Sequence, residues 1–170
     1  MPINAPNQPI SASCQMVARA IRSFVAPNLI TSALAQLFDT VALSCAIGNG
    51  DAHLKNFGVL YTHPAQDDVR LAPVYDIVNT TMYLPADSLA LSLGRRKSRD
   101  FAGRYRLLAF AGAFGIEDAD ARLDKIQDAM VRTMETHEAL IREAPGLREA
   151  LEQGLGRIEA RTTQDPALAG

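Results

Sequence analysis

A mainly α-helical chain with a small β component, an α+β fold, is what the sequence predicts. Apolar residues recur at three- and four-residue spacing over both ends of the chain. They form short alternating or continuous runs only between Phe57 and Leu93, and glycine or proline punctuates the changes of pattern. The 170 residues suit one domain with a substantial core. With 48% hydrophobic and 21% charged residues, the composition is ordinary for a globular protein.

In chain order, a loose start containing Pro6 and Pro9 leads into "SCQMVARAIRSFV", an amphipathic helix ending before Pro27. A second helix follows, with Thr31 or Ser32 as its expected cap. Leu34, Leu37, Phe38, Val41 and Cys45 form its apolar stripe, and Gly48-Asn49-Gly50 stops it. Phe57–Tyr61 reads as a strand, Val69–Tyr75 as its partner, and "THPAQDD" as the turn between them. "SLALSL", Ser88–Leu93, is a third strand candidate. From Asp100 the pattern is helical again. "DFAGRYRLLAFAGAFG" is one helix with Gly115 as its stop. "EDADARLDKIQDAMVRTMETHEALI" is the next, opened by acids that suit a helix N-terminus, and "LREALEQGLGRIEAR" is the last. Residues 1–160 are expected to form the domain, and 161–170 a disordered tail.

The formal net charge of −2 gives no broad attraction to nucleic acid or membrane, so no direct nucleic-acid binding is expected. Cys14 and Cys45 are far apart in sequence and fit neither a disulfide framework nor a metal knuckle, which points to a reducing compartment. No run in the sequence reads as apolar over the roughly 20 residues of a bilayer span, so none is expected. The first residues lack the charged and apolar regions of a secretion signal, so the expected location is cytoplasmic.

"IGNGDAHLKNFGVLY", Ile47–Tyr61, places an aspartate, a histidine, a lysine and an asparagine within six positions, between a helix stop and a strand. Asp51 and Asn56 are five apart, the spacing at which a kinase catalytic loop carries its base and a magnesium-binding asparagine. One short loop then fixes the distance between the group that meets the attacking hydroxyl and the group that holds the metal on the phosphates. A second metal ligand is needed from a strand end, and "APVYDI" offers Asp76 there. Asparagine and carboxylate oxygens suit magnesium. Lys55 would offset phosphoryl charge, and His53 would orient the loop or hold an aspartate. The spacing alone is a weak signal. Asp51 can equally be an Asx-turn residue, Asn56 a strand-leading cap, His53 a structural histidine and Asp76 a strand end. The order of helix, glycine break, Asp-x-His-x-Lys-Asn, strand, turn, strand and Asp is what favours chemistry.

"GNGDAHLKNFGVLY", "LAPVYDIVNTTMY" and "LALSLGRR" resemble the C-terminal catalytic lobe of HipA-type serine/threonine kinases, toxins of bacterial toxin–antitoxin modules. That family's Asn-x-Asp-x-His-x-Lys-Asn loop is matched by Asn49, Asp51, His53, Lys55 and Asn56, and its Pro-x-Tyr-Asp element by Pro73, Tyr75 and Asp76. The resemblance runs from about Ile47 to Arg96, more weakly through the flanking helices. It implies a helical kinase lobe with a small central β-ribbon. Asp51 would be the catalytic base and Asn56 and Asp76 the Mg2+ ligands, with ATP as phosphate donor and a protein serine or threonine as acceptor. A HipB-like antitoxin is an implied partner. Relative to eukaryotic kinases no His-Arg-Asp precedes the loop, and "YDI" replaces "DFG", as in the HipA type.

Only 46 residues precede Ile47, they read as two helices, and no lysine occurs before Lys55. The phosphate-covering loop and strand lysine of an N-terminal lobe are not recognisable, so a separately encoded N-terminal lobe is a second implied partner. The chain alone is then expected to be inactive or weak, with exposed apolar surface on its first helices. Two other classes compete: a truncated remnant acting as a toxin–antitoxin binding module, and a small-molecule kinase of the aminoglycoside type, disfavoured by "LAPVYD" and the His-x-Lys-Asn detail. Arg95, Arg96, Lys97 and Arg99 read first as a solvated loop. Tyr75 reads as packing, and Thr80 and Thr81 as turn chemistry. His63 and His53 make a poor zinc site, and His137 has no assigned role.

Overall fold

The computed structural model describes residues 12–63, 68–93 and 101–161. In chain order it contains α1 (Cys14–Phe24), α2 (Ile30–Ile47), β1 (Val59–Leu60), β2 (Arg70–Leu71), α3 (Arg104–Phe114), α4 (Ala119–Thr136), α5 (Glu138–Glu143) and α6 (Leu147–Glu159). This is the mainly helical architecture with a two-stranded ribbon that the periodicity predicts.

The Ser13 hydroxyl accepts a hydrogen bond from the Met16 amide and caps α1. Cys14, Val17, Ala18 and Ile21 recur at helical spacing on its buried face. Pro27 opens a single 3-10 turn that delivers the chain into α2. Thr31 and Ser32 lie inside the first turn of α2 and do not cap it; the Ser32 hydroxyl instead donates back to the Leu29 carbonyl.

α2 is the central element, packed by α1, α3, α4 and α6. Leu34, Leu37, Phe38, Val41 and Cys45 are buried, as are Ala33, Ala42 and Ala46 between them. Full burial of each large side chain stabilises by about 2 kcal/mol relative to exposure. Being covered on most sides, the helix is apolar on most sides. Pro27–Ile47 is consequently long and apolar enough to cross a bilayer by length and composition, which corrects the expectation that no such run exists. Its burial explains the composition as that of a core helix.

The ribbon is shorter than expected. Val59 pairs antiparallel with Leu71 and Leu60 with Arg70. Pro73 has no N–H with which to continue the ladder. The ribbon is tied to α2 by the Gln36 side-chain amide, which donates to the Ala72 carbonyl at 2.6 Å. Ser88–Leu93 is not a strand of this sheet. It is irregular, bent at Ala90, Leu91 and Leu93, with Leu89, Leu91 and Leu93 buried, and makes one parallel bridge, Ser92 to Ser13. The alternation reported the buried face but not the absence of a partner strand.

Gly115 adopts the left-handed conformation (φ 63°) that ends α3. The expected 117–141 helix is two helices, broken at His137. There the Thr136 hydroxyl donates to the Arg132 carbonyl and the His137 ring lies 3.0 Å from the Thr133 carbonyl. Side chains thus compete for the last-turn carbonyls. The expected basic cluster Arg95, Arg96, Lys97 and Arg99 and the tail beyond Arg161 lie outside the described residues.

Arg104 is 3% exposed at the start of α3 and holds three helices together. Its guanidinium donates to Asp120 (2.8 Å) and Asp124 (2.6 Å) on α4 and to the Ile158 carbonyl (3.0 Å) on α6. A buried cation is tolerable only when its donors are matched in this way.

Candidate functional site

α2 ends by turning its chain through Gly48, whose φ of 74° is left-handed. A side chain there would also collide with Thr81. The next residues are tightly tied. The Asn49 amide closes on the Ser44 carbonyl, the His53 amide on the Asp51 carbonyl and the Asn56 amide on the His53 carbonyl. Leu54–Asn56 forms a 3-10 turn that carries the chain into β1.

Asn49 is fully buried and faces both aspartates. Its side-chain oxygen accepts the Asp51 amide at 3.1 Å, and its NH2 donates to the Asp76 carbonyl at 3.4 Å. Asn56 is buried and donates to the Asp76 carboxylate at 2.7 Å. The Asn56 Oδ1 is buried without a hydrogen-bond partner. An acceptor left this way costs free energy unless something else satisfies it. The free asparagine oxygen and the carboxylate held by the same side chain's NH2 are both ligand types suited to a hard cation.

Asp76 has φ 59°, a left-handed conformation that costs a non-glycine residue about 1 kcal/mol or more. Tyr75 precedes it, and its hydroxyl donates to the Lys55 carbonyl, pinning the loop to the Asp76 segment. The tyrosine therefore links the two motifs, and its ring is exposed rather than packed in the core as the sequence suggested. Asp51 points outward with its side chain 58% exposed, and His53 Nε2 lies 3.7 Å from its carboxylate. The Lys55 side chain is exposed at the same loop. The six residues singled out in the sequence thus form one locality. Asn56 and Asp76 touch, Asn49 joins Asp51 to Asp76, His53 stands beside Asp51, and Lys55 contributes its carbonyl to the frame.

Two participants escaped sequence reading. The Thr80 hydroxyl accepts the Gly50 amide at 2.8 Å and contacts the Asp87 carboxylate at 2.5 Å. In the sequence Thr80 reads as turn chemistry and Asp87 carries no signal. The only hint available was their position shortly after Asp76.

Exposed apolar residues surround this locality. Leu54, Val59, Leu60, Tyr61, Val78 and Tyr83 are all exposed. The exposed apolar surface expected on the first helices is present in part, at Met16 and Phe24 of α1, and more of it lies on the ribbon and the segment after Asp76. Helix faces bury efficiently against α2, whereas a two-stranded ribbon leaves both faces largely uncovered.

Comparison with known proteins agrees with this fold. Residues 4–137 match the HipA-like C-terminal domain family. Two proteins of Sinorhizobium fredii are similar over part of the chain. They are "Putative kinase Y4dM", 37% identical over 68 residues, and "Putative kinase Y4mE", 34% identical over 62 residues. These segments are 39% and 36% of this chain but only 16% and 14% of those proteins. The fold is similar to HipA of Shewanella oneidensis MR-1, solved with HipB and its operator DNA (TM-score 0.64, 20% identity). That match covers 86% of this chain and 35% of the other. The chain thus spans about a third of its structural relative. With the family match covering most of its length, the chain belongs to the HipA-like C-terminal domain family.

Proposed function

We propose that this chain is the C-terminal part of a HipA-like kinase, transferring the γ-phosphate of ATP to a protein serine or threonine. The observation that carries the reading is the Asn56–Asp76 contact, with Asn56 Oδ1 buried and unpartnered beside an outward-pointing Asp51. Asn56 and Asp76 would hold magnesium on the nucleotide phosphates, and magnesium would supply charge neutralisation there. Among the described residues no group of three or more His, Cys, Asp and Glu side chains could hold a metal, so these two ligands would work with phosphate oxygens and water.

Asp51 would orient the incoming hydroxyl and accept its proton as the new oxygen–phosphorus bond forms and the bond from the γ-phosphorus to the bridging oxygen breaks, releasing ADP. The exposed Lys55 ammonium would balance charge on the transferred group. His53 would act through Asp51, since its ring faces that carboxylate at 3.7 Å. The chain spans about a third of its HipA relative. The phosphate-covering lobe would therefore come from a further segment or a separate chain. A HipB-like antitoxin is a second partner in this reading, the one named with the structural relative. A cytoplasmic location accompanies it.

The exposed apolar ribbon favours one alternative, a binding module that pairs with such partners without catalysis. Phosphotransfer from radiolabelled ATP with magnesium, measured on the chain assembled with its partner, separates the two. Asp51→Asn should lower the rate by about a hundredfold or more while complex formation is unchanged. Equal rates for wild type and variant would overturn the kinase reading.

A further inference from the structure

We propose that Thr80 and Asp87 are positioning residues for Asp51, a hydroxyl–carboxylate pair that holds the Gly48–Asp51 turn from outside the loop. The inference rests on the kinase reading for its catalytic meaning, though the geometry stands independently.

The Gly48 carbonyl lies at the C-terminus of α2, where helix carbonyls lack intrahelical partners. It accepts the Thr80 amide at 3.0 Å and the Thr81 amide at 3.3 Å. Two residues on, the Gly50 amide points to Thr80 and donates to its hydroxyl at 2.8 Å. The Thr80 hydroxyl has a single proton to give. The Gly48 carbonyl is 3.1 Å away and the Asp87 carboxylate 2.5 Å. A charged acceptor at the shorter distance takes that proton. The resulting chain runs from the Gly50 N–H to the Thr80 O–H to the Asp87 carboxylate. Its direction is set by Asp87, whose second oxygen accepts the Ser88 amide at 2.8 Å.

Space reinforces the hydrogen bonds. Gly50 is buried, and a Cβ there would overlap the Asp87 carboxylate. The turn therefore lies directly on the pair, with no gap for it to move into. Asp51 follows Gly50 immediately, so the pair fixes the backbone from which the exposed carboxylate projects. Thr80 also sits four residues after Asp76. One segment thus supplies the metal-side aspartate and the brace of the base-side loop. This placement couples the two halves of the site through three hydrogen bonds, two to the Gly48 carbonyl and one from the Gly50 amide, rather than through the nucleotide.

Three substitutions test it on the full chain by amide hydrogen exchange. Thr80→Val keeps the shape and removes the hydroxyl. The Gly50 amide should then exchange about threefold to tenfold faster, the effect of one lost hydrogen bond. Amides of Leu37 and Phe38 in α2 should be unaffected. Thr80→Ser should restore wild-type exchange at Gly50, and Asp87→Asn should give an intermediate increase. Unchanged Gly50 exchange in Thr80→Val, or failure of Thr80→Ser to restore it, would overturn the proposal. In the assembled phosphotransfer system, Thr80→Val should lower kcat with KM for ATP unchanged, and an unchanged kcat overturns the catalytic role. If wild type and Asp51→Asn are equally inactive there, the kinase reading fails and Gly50 exchange alone decides whether the pair braces the turn.

Discussion

Asp76 joins two properties that rarely coincide in a residue of purely structural use. It holds a left-handed backbone and accepts from a buried asparagine. Strain of this kind persists where surrounding contacts over-determine it, and Tyr75 on one side and Asn49 on the other do so here. Asparagine tolerates the same backbone, so Asp76→Asn should melt within about 2 °C of wild type yet lose a hundredfold or more of phosphotransfer. A large loss of melting temperature would instead mark Asp76 as structural. Cys14 and Cys45 make the contrasting case. Burial pushes the Cys14 thiol up to about 12 and Cys45 to about 11, so almost no thiolate exists at neutral pH. Both should stay unreactive to a thiol reagent at pH 8 until the chain is denatured; rapid native labelling would contradict their placement. Site residues within one loop were legible because the Asp51–Asn56 spacing is a local property. Thr80 and Asp87 were not, because their role arises only when the chain folds back across Gly50.

Helix positions were legible for the same reason that their junctions were not. The stripe of α2 and the stops at Gly48 and Gly115 follow from local periodicity and backbone freedom. The close approach of α6 to α2 does not. Gly154 faces the Ala46 carbonyl so closely that a Cβ would overlap it. Gly154→Ala should therefore destabilise by about 1–3 kcal/mol through overpacking, although alanine is the better helix former. A neutral or stabilising result in a denaturant titration would show that the two helices can separate cheaply. The Arg104 junction is equally non-local and gives a pH dependence. Hydrogen bonding from Arg104 holds the Asp124 carboxyl below its ordinary value of 3.8. A depressed carboxylate contributes stability that is complete above the unfolded-state value and is lost as pH falls through the folded one. Stability should thus decline as pH drops below about 3.8. Asp124→Asn should be less stable at pH 7, with a flatter acid limb. Parallel acid limbs in the two proteins would assign the decline elsewhere.

At the scale of the molecule, the helices bury their apolar faces around α2 while the ribbon and the segment after Asp76 do not. Val59, Leu60, Tyr61, Val78 and Tyr83 remain exposed next to the very loop that carries Asp51 and Asn56. Several exposed apolar side chains beside a polar site are the pattern of a face suited to being covered. The chain corresponds to 35% of the length of its HipA relative, so cover from the remaining part of such a protein is the economical reading. Electrostatic stabilisation of a phosphoryl group depends on excluding water, because attraction between charges weakens several-fold as the surroundings approach bulk solvent. Asp51, Lys55 and Asp76 are exposed in the isolated chain, while Asn56 is buried behind them. The isolated chain should therefore transfer phosphate from magnesium-ATP at least about a hundredfold more slowly than the same chain supplied with the N-terminal part of a HipA relative. Replacing Leu60 and Tyr83 with serine should weaken that rescue by raising the concentration of added lobe required, leaving the rate at saturation unchanged. Robust phosphotransfer by the chain alone, insensitive to the added lobe, would show instead that the Asp51 loop is sufficiently enclosed by its own fold.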